Sequence, residues 1–297
     1  MPSTLKVTNL GDGGKGTLRY EIAQAQNNDT IVFDKRLDGG TITLYTDEQM
    51  VINKNLTIQG PGAGLLTITS LFDTTQTARI FEVLRGTAVA ISGLTMSHGS
   101  GLAHARGYPS DYWDGYGGGI LNFGTLTISG CTLSNNSSCS LDSQLMGGGI
   151  HNAGTLTVTG CTLSNNSTMY GYGGAIYNAG TLTVSGGSLS NNSTFAGYGG
   201  GIYNAGTATV SGCTLSGNSA DSGGGIANFG ALTVGGCQVS GNTASPATGT
   251  NDGSAIANGG GGILNMRTLT VSNSTFSGNT PDNIAGPFTD GGGNTFR

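Results

Sequence analysis

The 297-residue chain is poor in charge: Asp, Glu, Lys and Arg together make up 9% of it, against about 25% in ordinary soluble domains. Coiled coils and long solvent-facing helices are excluded, because their outer faces need charge. The net charge is -5 and the pI about 4.9, so no basic face can neutralise phosphates. DNA, RNA and anionic lipid are therefore excluded as partners. Proline, at 6 residues, is too scarce for collagen. No apolar run approaches the ~18 residues of a membrane helix, which predicts no membrane insertion by this segment. The opening Met1-Pro2-Ser3-Thr4-Leu5-Lys6 lacks the apolar core of a signal peptide. The expectation is either an intracellular chain or a mature segment without its leader. Five cysteines (Cys131, Cys139, Cys161, Cys213, Cys237) are an odd set, too sparse for a disulfide framework in a chain this long.

What the chain has in excess is glycine, 56 residues against an average near 7%. Hydrophobic residues still make up 36% and recur at fixed offsets, which a disordered Gly/Ser linker does not show. From Gly117 onward one unit repeats, opening at Gly-Gly-Gly-Ile120, Gly-Gly-Gly-Ile150, Gly-Gly-Ala-Ile176, Gly-Gly-Gly-Ile202, Gly-Gly-Gly-Ile226 and Gly-Gly-Gly-Ile263. The isoleucines are 30, 26, 26, 24 and 37 residues apart. An asparagine follows each two residues later (Asn122, Asn152, Asn178, Asn204, Asn228, Asn265), and a second asparagine column closes the unit (Asn136, Asn166, Asn192, Asn218, Asn242, Asn279). Between them lie alternating segments such as Thr125-Leu126-Thr127-Ile128-Ser129 and Cys131-Thr132-Leu133-Ser134.

Three short strands in about 25 residues cannot bury a core alone, but stacked coils of a parallel β-helix can. Alternation places Ile120, Leu126, Ile128 and Leu133 inward, and Thr125, Thr127, Ser129, Thr132 and Ser134 outward. The asparagine columns are expected to form amide ladders that satisfy the backbone at the bends. Upstream, Asn55–Gly60 and Ala88–Gly93 align with Thr125–Gly130, and Thr41–Leu44 reads as a strand of an earlier coil. The predicted architecture is all-β: a right-handed parallel β-helix with three short strands per coil over 31–297, its regular repeats spanning 117–280. Residues 1–30 are expected to cap it, with a short amphipathic helix in Thr17–Ala25 shielding the open edge of the first coil.

Gly173-Gly174-Ala175-Ile176 and Phe276-Ser277-Gly278-Asn279 resemble the GGAI and FxxN motifs of chlamydial polymorphic outer-membrane proteins and related autotransporter passengers. The opening segments Val7–Asp12, Gly16–Arg19 and Asp29–Asp34 are similar to those of secreted, pectate-lyase-like β-helix proteins of environmental bacteria. Together these likenesses cover nearly the whole chain, and they imply an extracellular or cell-surface protein. This sequence departs from the autotransporter pattern in containing no membrane-barrel segment, and most coils carry Leu (Leu133, Leu163, Leu189, Leu215) in place of the motif's Phe.

The repeat specifies a shape, so function has to be sought in departures from it. Gly14-Lys15-Gly16-Thr17 is no phosphate loop, since the glycine required five residues earlier is Asn9. No cofactor or metal is expected, because from Gly115 to Phe276 the only charged residues are Asp142, Asp221, Asp252 and Arg267. The insertion at 98–116 is the exception. There Asp111, Asp114, Arg106 and His104 stand beside Trp113, Tyr112 and Tyr116, the residue types a polysaccharide lyase or glycoside hydrolase needs; the plainer reading is a solvated loop. Tyr177 and Tyr203 follow the isoleucine in adjacent coils, with His151 one coil earlier, and Tyr172 and Tyr198, like Tyr116, precede the glycines. This strip suits sugar rings, or it only stabilises the sheet by mutual stacking. The outward pairs Thr125/Thr127, Thr155/Thr157, Thr181/Thr183, Thr207/Thr209 and Thr268/Thr270 give a hydroxyl lattice similar to the ice-binding faces of solenoid antifreeze proteins, although threonine is also an ordinary strand former. The cysteines other than Cys139 share one inward column and read as buried thiols chosen for size. The functional expectation is a rigid adhesive or structural rod whose partner is a polysaccharide or a neighbouring cell surface. A carbohydrate-active enzyme and an ice-binding protein stand as alternatives.

Overall fold

The computed structural model describes residues 1–45, 49–70, 79–101, 115–138, 145–245 and 259–297. It is a right-handed parallel β-helix. Sheets of nineteen, nine and five strands form its walls, and the strand pairings among the described residues are parallel. No helix among those residues is long and apolar enough to cross a membrane.

Register holds from coil to coil. Thr125 pairs with Thr155, Thr155 with Thr181, Thr181 with Thr207, Thr207 with Ala231 and Ala231 with Thr268. Alternation then sends Leu126, Ile128 and Leu133 and their counterparts into a single core running along the axis. Ile120, Ile150, Ile176, Ile202, Ile226 and Ile263 enter it from the nine-stranded wall, all fully buried. Each such side chain contributes about 1.5–3 kcal/mol. In most coils a bend separates the five-residue from the three-residue strand. In two coils the strands run on as Thr155–Ser164 and Thr181–Ser190, with Gly160 and Gly186 taking positive φ at the bend.

Both asparagine columns are ladders. In the first, each Nδ2 donates to the next Oδ1, from Asn122 to Asn152 and from Asn152 to Asn178 at 2.7 Å each, and so on to Asn265. The second runs from Asn136 to Asn279 at 2.9–3.0 Å. There each Oδ1 also accepts the backbone N–H of the preceding coil's asparagine. Buried amides are thereby satisfied where the chain turns out of the regular ladder.

The stack begins earlier than residue 31. Thr4–Val7 pairs in register with Thr30–Phe33, because its alternation already supplies an inward Val7. At the other end Thr295 and Phe296 pair with Thr275 and Phe276. The helix Leu18–Gln24 forms as expected, capped by the Thr17 hydroxyl, and buries Leu18 and Ile22. Lys54 Nζ donates to the Ile22 and Ala25 carbonyls at 3.1 and 3.0 Å, a cation at the helix C-terminus where orphan carbonyls and the helix dipole favour one.

Candidate functional site

The residue after each wall isoleucine faces away from the core. Register makes one outward column of Glu82, Leu121, His151, Tyr177, Tyr203, Ala227 and Leu264. Alternation alone predicts a wet column. Instead Leu121, His151, Ala227 and Leu264 are buried, although Leu121, Ala227 and Leu264 lie outside the main core cluster. Tyr177 and Tyr203, in the middle, are half-buried.

The aromatic row is continuous. Tyr116 meets His151 edge-on at 5.0 Å; His151 stacks on Tyr177 at 4.9 Å, Tyr177 on Tyr203 at 5.3 Å, and Tyr203 on Phe229 at 5.2 Å. Tyr172 and Tyr198 stack at 5.8 Å, and Tyr172 also leans on Tyr203 at 4.7 Å. With Tyr177 and Tyr203 only 4° from parallel, these rings turn their faces to one another. Their outward parts are edges, whereas a sugar ring stacks on a face. Exposed rings lie close by, on the turns of the same two coils. Tyr170 and Phe195, 52% and 61% exposed, meet edge-on at 5.8 Å, and Met169 beside them is exposed too. The repeat pattern does not point to Tyr170 or Phe195, and its one signal for Phe229 is that Phe123 and Phe229 replace alanine at the position after the first-ladder asparagine.

Burial dominates the electrostatics of this wall. Desolvation, with nearby Arg79 adding to it, lowers the His151 imidazole to about 3, so the ring is neutral. Burial likewise raises the Tyr177 and Tyr203 phenols. Arg79, itself buried, donates Nε to the carbonyls of Tyr116 and Gly117 at 2.9 Å each, and it reaches Gln49, which in turn bonds Glu82. This network ties the start of the aromatic row to the earlier coils.

The hydroxyl lattice occupies the nineteen-stranded wall. Thr125, Thr127, Thr155, Thr181, Thr207 and Thr209 are exposed, and Thr157 and Thr183 half-exposed. Alanine replaces threonine at Ala88, Ala90 and Ala231. Where Ala90 lies between Thr57 and Thr127 and Ala88 beside Thr125, a shallow depression of about 260 Å³ opens, bordered also by Asn28 and Asn55. Asp111, Asp114, Arg106, His104, Tyr112 and Trp113 lie outside the described residues. Among the described residues no three His, Cys, Asp or Glu side chains converge as a metal site would require.

No protein-family model matches the chain, and no curated protein matches it. Among solved structures it is similar to ORF18 of Geobacillus virus E2, with a TM-score of 0.39 and 13% identity over 99% of this chain. The chain spans about 60% of that protein's length. A likeness so loose carries no inference about role, and the resemblance to chlamydial repeats rests on the motifs at Gly173–Ile176 and Phe276–Asn279 alone.

Proposed function

We propose that this β-helix is a rigid rod of an extracellular or cell-surface protein, and that it adheres to neutral polysaccharide through the aromatic turns of its central coils. The observation that carries this reading is the exposed pair Tyr170 and Phe195 beside the stacked Tyr172 and Tyr198. Of the residues from Gly115 to Ala244, only Asp142 and Asp221 carry a formal charge, which suits an uncharged ligand. The two ladders hold the surface rigid, so little ordering entropy is lost on binding. The GGAI and FxxN motifs support display at a cell surface. The test is a glycan array with the wild type and with Tyr170→Ala combined with Phe195→Ala. Wild type should bind a neutral polysaccharide, and the double variant should bind about tenfold more weakly or worse at an unchanged Tm. Equal binding by both would sink the reading, and release of reducing ends by the wild type would favour an enzyme built on the 98–116 insertion.

A second reading, ice binding, is favoured by the in-register threonine columns. Along the strand they repeat at about 6.7 Å and between coils at about 4.8 Å. Thermal hysteresis that disappears in Thr157→Tyr with Thr183→Tyr would support it. The absence of hysteresis in the wild type would end it.

A further inference from the structure

The inward column after the bend holds Cys131, Cys161, Gly187, Cys213, Cys237 and Ser274 on successive coils. All four thiols are 2% exposed. They fall into two neighbouring pairs separated by a glycine. A Cβ on Gly187 would lie 2.2 Å from the Cys161 carbonyl oxygen, so no side chain continues the column there. Within each pair the sulfur of the later coil reaches the backbone of the cysteine one coil earlier. The Cys131 N–H points at the Cys161 sulfur at 3.4 Å, and the Cys213 N–H at the Cys237 sulfur at 3.5 Å. Adjacent coils are about 4.8 Å apart, inside the roughly 4.4–6.8 Å Cα separation that a disulfide spans. No thiol of the column is left over, and none has two thiol neighbours.

We propose that the column forms two inter-coil disulfides, Cys131–Cys161 and Cys213–Cys237, with a low-molecular-weight disulfide such as oxidised glutathione as the oxidant. Cys237 gives its proton to solvent and its thiolate attacks one sulfur of oxidised glutathione, giving a mixed disulfide and releasing one glutathione thiolate, which takes up the proton of Cys213. The Cys213 thiolate then attacks the Cys237 sulfur and expels the second glutathione as a thiolate, which takes a proton back from solvent. One protein disulfide and two glutathione thiols result, a two-electron oxidation of the protein, and Cys161 and Cys131 react in the same way. Because the folded column is closed to solvent, exchange takes place while the coils wind.

The test uses the full chain, refolded from the reduced unfolded state in a glutathione redox buffer, then denatured, alkylated and digested without reduction. Mass spectrometry should find the peptides of Cys131 joined to Cys161 and of Cys213 joined to Cys237, Cys139 alkylated, and four hydrogens missing from the intact mass. Full alkylation of the column after oxidising refolding, or a Cys161–Cys213 link, would overturn the proposal. Cys161→Ser with Cys237→Ser is the control, since Ser274 already occupies this column. Oxidised wild type should be harder to unfold in urea than reduced wild type by about tenfold or more in the unfolding constant, and the control should be indifferent to redox state. Equal redox sensitivity in the control would also overturn it.

Discussion

A single ladder asparagine holds several groups at once. Asn178 donates to Asn204, Gly180 and Thr207 and accepts from Asn152. In Asn178→Ala the buried amides of Asn152 and Asn204 and two carbonyls lose a partner, so the variant should lose about 3 kcal/mol, measured as a lower urea midpoint. A loss below about 1 kcal/mol would mean that the ladder is ornamental. His151 makes a second residue-scale prediction. Its folded pKa of about 3 lies below the ordinary imidazole value of 6.5, so the unfolded chain binds the extra proton and stability rises with pH. The stability is complete above pH 6.5 and declines as the pH falls toward 3, by about 3 kcal/mol at pH 4. His151→Leu, which copies Leu121 and Leu264 of the same column, should remove this slope in equilibrium unfolding between pH 6.5 and 4.5. Asp29 and Asp34, with lowered pKa values, add a loss only below that window.

Turns decide whether the elements can stack. Gly154, Gly180, Gly206 and Gly230 form a column in which a Cβ would lie 2.0–2.1 Å from the carbonyl oxygen of the preceding coil. Gly180→Ala must push two coils apart and should cost about 3 kcal/mol. At Gly130 the φ is +54 but nothing stands near. Asn135 and Asn165 already adopt such a φ, so Gly130→Asn should cost less than about 1 kcal/mol; denaturant titration of the two variants separates close approach from backbone conformation. The repeated elements were legible because each is stated five or six times: Asn122 and its successors, the inward Leu126 and Ile128, and the glycine that follows the strand in every unit but the last, where Asn273 stands. Leu121, Ala227 and Leu264 were not legible, since alternation reports which way a side chain points and not what covers it. Tyr170 and Phe195 lie in turns with no partner in the repeat's pattern, and their pairing follows only from coil stacking. The early strand Thr4–Val7 is not legible in the sequence, because a single four-residue segment has no repeat to support it.

At the scale of the whole molecule, contacts run mainly between neighbouring coils, so stability is close to a sum of local terms. Removing residues 176–201 joins Ala175 to Ile202 and deletes one complete coil. This chain should fold, with a Tm within about 5 °C of the wild type, read by circular dichroism. Removing 176–190 alone breaks the register of both ladders and should give an aggregate. If the two deletions behave alike, in-register stacking is not what holds the rod together. Among the described residues the wall strands all point the same way, and within both ladders every amide-to-amide hydrogen bond runs toward the C-terminal coil. The rod is therefore a vector, and turned end for end it is a different object. The side walls inherit that sense, so the order of exposed groups along them reads differently from the two ends, and a linear polymer with chemically distinct ends laid along a wall is expected to favour one of its two orientations.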